Sequence, residues 1–501
     1  MPRSLWLIPR ILLAGLMIYG FLWVRSFPRT WDDAPAKQAP KQDAGKKGGH
    51  NHPPDHKAKP KPPPANPEKV VVSIKTGATE AFDKLPSQLL LTDSKYLSNL
   101  LLFSDLEQDI GAFHLHDVLS NISEKHTVNN TDFDLYRQQY EYWALGLDIG
   151  ALKSVPDPNP DWRTKGHNAA WALDKYKNLH MLQRAWQYRP SRHWYLFIDT
   201  DTYVSRRNLY EWLGQHDHTK PWYFGVPTQN PHFKDGDTYP FGHGGSGFVL
   251  SGEAMKRFAV DKAGIPQRWD KRIAKMWFGD YVTAAALHEE LGLNITSSFP
   301  EFSGMKPSTI PYSAELWCGP VVALHHVRPE ESCAMWQFER EREGKRAPMT
   351  FQELWKKFIK TEELGEPRED WDNLSSDFSN VKWNIVFKKK DEKPKAKRSE
   401  AEEAGKEEPA SDDPDESFEA CEKACAMHEN CMQYSFSNST APNFNKNGET
   451  KCHLSSSFRV GSMREPDQIV SKKNPTIWRS WKSGWRRDRF ELWAAQQKCG
   501  E

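Results

Sequence analysis

The sequence lacks an excess of either charge. Lys and Arg number 68 against 67 Asp and Glu, so 501 residues carry a net charge of +1. That balance offers no basic surface for a nucleic-acid partner. Cysteine is sparse at seven residues, and no pair has the C-x2-C spacing of a zinc ribbon. The one glycine-rich stretch does not match G-x-x-x-x-G-K-[ST], which excludes a P-loop. Clustered His and Asp are too few for the two metals of a binuclear phosphohydrolase. Two long segments, 30–68 and 388–416, have almost no core-forming residues. The first reads as a stiff Pro/Lys-rich spacer and the second as a linker, basic and then acidic, expected to lack a fold of its own.

What is present begins with an apolar run. Leu5 to Val24 is interrupted only by Arg10, and no small-x-small cleavage site follows. It reads as an uncleaved signal anchor. Sequons at Asn121, Asn129, Asn294, Asn373 and Asn438 favour a lumenal chain. So does the cluster Cys421, Cys425, Cys431 and Cys452, read as a disulfide module. Of its three connectivities we favour Cys421–Cys452 with Cys425–Cys431; Cys318, Cys333 and Cys499 are left unassigned. Aromatics make up 12% of the chain, with 21 Trp, which suits the handling of sugar rings and equally suits a Trp-rich core.

The folded part is organised around Trp194 to Val204. Five apolar residues, Trp194 to Ile198, read as a buried parallel strand. The strand runs into Asp199-Thr200-Asp201, whose carboxylates are expected to point the same way. At the carboxyl end of such a strand they suggest a divalent-cation site. Strands are predicted at Val70–Ile74, Asn99–Phe103, Trp222–Pro227, Phe248–Leu250 and Val321–Val327. Helices are predicted at Ala81–Leu91, Trp171–Tyr188 and Tyr281–Leu291. The order implies an α/β fold with a mostly parallel sheet and helices on both faces. Gly242, Gly244, Gly245 and Gly247 let the backbone approach a ligand closely. Asp280 sits where a helix N-cap belongs. The pair His325-His326 ends a strand, and one of the two is a candidate metal ligand. The tail from Trp478 to Trp493 is rich in Trp and Arg and is expected to pack on a folded domain.

These pieces together resemble glycosyltransferase family 31, in its fungal branch near the fringe and core 1 β-1,3-galactosyltransferase enzymes. The matching residues are Lys75-Thr76-Gly77-Ala78-Thr79-Glu80 with Lys84-Leu85-Pro86, Trp194 to Val204, Gly242 to Ser251, Gly279-Asp280 and Leu324 to Val327. The cysteine cluster is similar to PAN/apple domains. Two departures stand out: Thr200 replaces the middle acid many relatives carry, and Gly279 stands where many have an acid.

The resemblance implies a GT-A fold and an inverting, metal-dependent transfer from a UDP-sugar to a glycan hydroxyl, in a β-1,3 linkage. It implies Mn²⁺ or Mg²⁺ on Asp199, Asp201 and His325, with Asp280 as the base. Thr76, Gly77, Lys175, Asp199, Gly244 and Gly245 would touch the donor. The implied layout is a cytoplasmic tail at 1–4, an anchor at 5–24, a stem at 25–68, a transferase domain at 69–387 and a linker at 388–416. A PAN-like module at 417–465 and a Trp-rich segment at 466–501 complete it. The implied location is the Golgi or endoplasmic reticulum membrane, single-pass type II, with the catalytic part lumenal. The competing class is a tethered, lectin-like protein with a degenerate transferase domain; retention of Asp199, Asp201, Asp280 and His325 favours the enzyme.

Overall fold

The computed structural model describes residues 62–155, 169–228, 239–276, 278–345, 347–377, 382–385, 413–440, 449–471 and 474–499. The expected anchor, the stem up to residue 61 and the linker from 388 to 412 lie outside them. No helix among the described residues is long and apolar enough to cross a membrane.

The main sheet has eight strands. They are β1 (Val70–Lys75), β2 (Leu100–Ser104), β3 (Gln108–Ile110), β4 (Phe113–Asp117), β5 (Trp194–Asp199), β6 (Tyr223–Gly225), β7 (Phe248–Ser251) and β8 (Thr296–Ser297), in the order β8-β6-β7-β5-β1-β2-β4-β3. Strands β5, β1, β2 and β4 run parallel, as β6 and β8 do, while β7 and β3 are antiparallel to their neighbours. This is the mostly parallel α/β sheet the sequence implied.

Both faces of the sheet are covered, which explains the unbroken apolar runs. Val71, Tyr195 and Phe197 belong to a core with Leu179 and Leu182 of the helix Lys177–Tyr188. Val70, Val72, Ile74, Leu196 and Ile198 face a second core with Leu85 and Leu89 of the helix Ala81–Leu90.

Two expectations change. The single helix expected from Trp171 is two, Ala169–Asp174 and Lys177–Tyr188, and Trp171 itself is exposed. The break falls where Tyr176 is buried with its hydroxyl on Asp132, 2.8 Å away. The strand expected at Val321–Val327 shrinks to Ala323–Leu324, which pairs with Tyr203–Val204 and Phe302–Ser303. His326 beyond it has φ +58°, outside strand geometry.

A six-stranded sheet gathers the C-terminal half. Asn474–Trp485 is bonded to Gln433–Thr440, to Arg368–Glu369 and to Asp467–Ser471. The tail is therefore a central strand, with Trp485 buried beside Phe458 and Phe490. The helix Phe418–Met427 is stapled to this sheet by Cys421–Cys452, and Cys425–Cys431 closes the loop after it, the favoured pairing. A third disulfide, Cys318–Cys499, joins residues 181 positions apart, and Cys333 is free.

Candidate functional site

Parallel pairing of β1 with β5 aligns Lys75 with Asp199 at the strand ends. Lys75 Nζ lies 3.5 Å from Asp199 and 2.6 Å from Asp174. Behind them Lys177 Nζ lies 2.9 Å from Asp105 and 3.6 Å from Asp174. A chain of alternating charge thus runs Asp105–Lys177–Asp174–Lys75–Asp199, buried at Asp105 and Lys177 and partly exposed at Asp174 and Asp199. Burial alone would lower the Lys75 ammonium, but Asp174, Asp199 and Asp280 together hold it above its usual range.

The strand stops at Asp199, and Thr202 N–H returns to the Asp199 carbonyl at 3.1 Å. Side-chain alternation therefore does not extend to Asp201, and the two carboxylates take different partners. Asp201 Oδ1 lies 3.2 Å from His325 Nε2, and Oδ2 lies 3.8 Å from His326 Nδ1. Backbone pairing produces this meeting. Tyr203 is in register with Leu324, and Val327 N–H donates to the Asp201 carbonyl at 3.0 Å. Burial pushes the Asp201 carboxyl up, but His325, Lys84 and His326 outweigh it and hold the group at about 2.

The glycine loop lies over these groups. Gly244 N–H donates to Asp280 Oδ2 at 2.7 Å, and Thr202 Oγ1 donates to the Gly245 carbonyl at 2.7 Å. A Cβ at Gly244 would stand 2.4 Å from Asp280 Oδ1, and one at Gly245 would stand 2.1 Å from His325 Cε1. The close approach these glycines permit is made to the protein's own carboxylate and imidazole. Gly247 turns the loop with φ +82°, and His243 accepts from Ser246 N–H.

Asp280 is not the helix cap. The helix Gly279–Leu291 has Phe278 at its N-cap, and Asp280 lies in its first turn, turned onto Gly244. Nor does the helix end keep its pKa low. Burial pushes the carboxyl up and Asp199 adds to this, while Lys75, His243 and the Gly244 N–H only partly offset it. A Cβ at Gly279 would meet the Asn178 side chain at 2.8 Å, so a larger residue here would displace Asn178.

The structure thus brings Asp201, His325, Gly244, Gly245 and Asp280 into one cluster, with Asp199 held beside it by Lys75. Thr76 and Gly77 follow β1; Thr76 is buried, and a Cβ at Gly77 would find Thr79, Asp105 and Glu80 at ordinary contact distances of 3.8–3.9 Å. Lys175 is committed elsewhere, 2.7 Å from Asp132. Sequence reading missed Lys75, Asp174, Lys177 and His243. The Lys75-Thr76-Gly77 run was the available signal for Lys75.

Asp201, His325 and His326 place one ligand atom each within 4.8 Å of one another, and His325 Nδ1 is buried without a hydrogen-bond partner among the described residues. One carboxylate and two imidazoles are a donor set able to hold a divalent transition-metal ion. A cleft of about 280 Å³ opens beside them, lined by Lys84, Ser87, Thr200, Asp201, His326 and Arg328.

Residues 164–304 match the Fringe-like family model. The span includes Asp199, Asp201, the glycine loop and Asp280, and ends before His325. One solved structure, titled "Crystal structure of a glycosyltransferase involved in the glycosylation of the major capsid of PBCV-1", is 13% identical over 54% of this chain and 99% of that chain. Its TM-score of 0.25 is too low to bear on function.

Proposed function

We propose that this chain is an inverting glycosyltransferase that moves a sugar from a UDP-sugar to a hydroxyl of a glycan acceptor. The observation that carries the reading is the contact of Asp280 and His325 with adjacent residues of one loop, Gly244 and Gly245. A candidate base and a candidate ion ligand are thereby held side by side. The Fringe-like match over 164–304 supports it.

Asp280 takes the proton of the acceptor hydroxyl as its oxygen bonds to the anomeric carbon. The bond from that carbon to the diphosphate breaks on the opposite face, and UDP leaves. A base works best when its pKa lies near the working pH, and the upward shift at Asp280 moves it that way. Asp201 and His325, with His326 and Asp199 nearby, would hold the divalent ion, which supplies positive charge against the departing diphosphate. Lys84 and Arg328, lining the cleft beside Asp201, add charge of the same sign. Lys75 fixes Asp199 and keeps the cluster from being uniformly negative.

The proposal extends to Golgi or endoplasmic reticulum residence as a type II protein with a lumenal catalytic part. Three disulfides favour an oxidising compartment. The stapled helix and strands at 418–455 are consistent with a PAN/apple-like module. Galactose is the donor sugar we propose to test first, in a β-1,3 linkage.

The test is a panel of UDP-sugars with the full chain and Mn²⁺, reading UDP release with and without a glycan acceptor. Release with at least one donor, lost in Asp280→Asn while donor binding persists, is expected. Binding of glycan without turnover of any donor would assign the chain to the lectin-like class.

A further inference from the structure

A second group of metal-ligating side chains lies at the far edge of the main sheet, on the β3–β4 hairpin. The transferase reading uses none of them. His114 and His116 are two residues apart on β4, so both rings leave the same face. Glu107, just before β3, reaches across to them. Its Oε1 lies 2.5 Å from His114 Nε2 and 3.8 Å from His116 Nδ1. One ligand atom from each of the three falls within 4.8 Å of the others.

Each of the three is held by a further partner. The second oxygen of Glu107 accepts the Asp117 N–H at 2.7 Å. The other nitrogen of His114, Nδ1, lies 2.7 Å from Asp109 Oδ1. His116 stacks on Tyr188 with ring centroids 4.3 Å apart. A carboxylate on the far nitrogen of a ligating imidazole is the usual outer support of a metal histidine, because it fixes the tautomer and the ring plane.

We propose that Glu107, His114 and His116 form a second metal site, for Zn²⁺ or a metal of similar softness, with Asp109 orienting His114. Two imidazoles and one carboxylate leave a fourth position for water and suit Zn²⁺ better than Mg²⁺ or Ca²⁺. The ion would tie the segment before β3 to β4, clamping the edge of the sheet where strand pairing ends.

The test uses the full chain carrying Asp201→Ala and His325→Ala, so that ions at the transferase cluster do not contribute. Zn²⁺ is titrated against a chromophoric chelator, and melting is followed with Zn²⁺ and with EDTA. Adding His114→Ala and His116→Ala should remove one tight equivalent of Zn²⁺ and abolish the Zn²⁺-dependent rise in Tm. Asp109→Asn, which keeps all three ligands, should weaken Zn²⁺ binding by roughly ten- to a hundredfold. Glu107→Gln, a minimal change of shape, gives the same reading if the histidine variants fail to fold. Equal Zn²⁺ stoichiometry and an equal Tm shift with and without these substitutions would overturn the site.

Discussion

The backbone N–H of Gly244 donates to the carboxylate of Asp280 at 2.7 Å, and no side chain larger than hydrogen fits between them. The glycine both frees the loop and aims the candidate base. Gly244→Ala is therefore expected to displace Asp280 while leaving the Asp201–His325 cluster in place. A shift of about 1 Å at a reacting group costs roughly a hundredfold in rate. Steady-state kinetics should show that loss in kcat with donor affinity little changed; unchanged kcat would mean the loop does not position Asp280.

Asp280 has a raised pKa in the folded state, so the native protein holds this proton to higher pH than the unfolded chain. Its contribution to stability therefore declines as pH rises above the ordinary carboxyl value of about 4. Asp280→Asn removes the charge and keeps an oxygen for the Gly244 N–H. Its Tm should exceed the parent's at pH 7, with the gap closing towards pH 4, while transfer drops by about 10²- to 10⁴-fold. A gap that does not vary with pH would contradict the buried-carboxylate account.

Lys75 is the hinge of the charge chain, paired with both Asp174 and Asp199. Both carboxylates are partly exposed and Asp174 keeps Lys177 at 3.6 Å, so removing Lys75 costs about 1–3 kcal/mol, less than breaking a fully buried pair. Lys75→Met should lose that much in urea unfolding, and Asp174→Asn added to it should restore part of the loss. Additive losses in the double variant would show that the two residues do not interact.

The sequon Asn373-Leu374-Ser375 cannot serve as a glycan site in the folded protein. Asn373 is fully buried, and its Nδ2 donates to the carbonyls of Tyr434 at 3.0 Å and Gly484 at 3.1 Å. Asn121, Asn129 and Asn294 are exposed. Glycopeptide mapping of chain secreted from a glycosylating host should find sugar at those three and none at Asn373. Asn373→Gln should cost about 1–3 kcal/mol through its unmet buried partners, where Asn294→Gln is near neutral.

Much of the site was legible because its chemistry is local. Asp201, the glycine loop and Asp280 each lie in a short run whose composition states a role: a strand end, a close approach, a helix start. The helices expected at Ala81 to Leu91 and Tyr281 to Leu291 are found at Ala81–Leu90 and Gly279–Leu291. The chain around Lys175 was misread. Its apolar positions keep helical spacing through the break at Tyr176, and nothing local reports that Tyr176 is drawn to Asp132.

By itself the sequence determined the buried strand, the carboxylates at its end and the cysteines that staple the helix Phe418–Met427. These follow from residue type, period and spacing over a few positions. That Lys75 faces Asp199, that Asp201 and Asp199 part company, and that Cys318 joins Cys499 follow from the assembled fold and not from local pattern. The strands β1 and β5 are apolar on both faces, so no hydrophobic pattern sets their register. That register is chosen by packing two cores at once, and with it the partner of each charge at the strand ends.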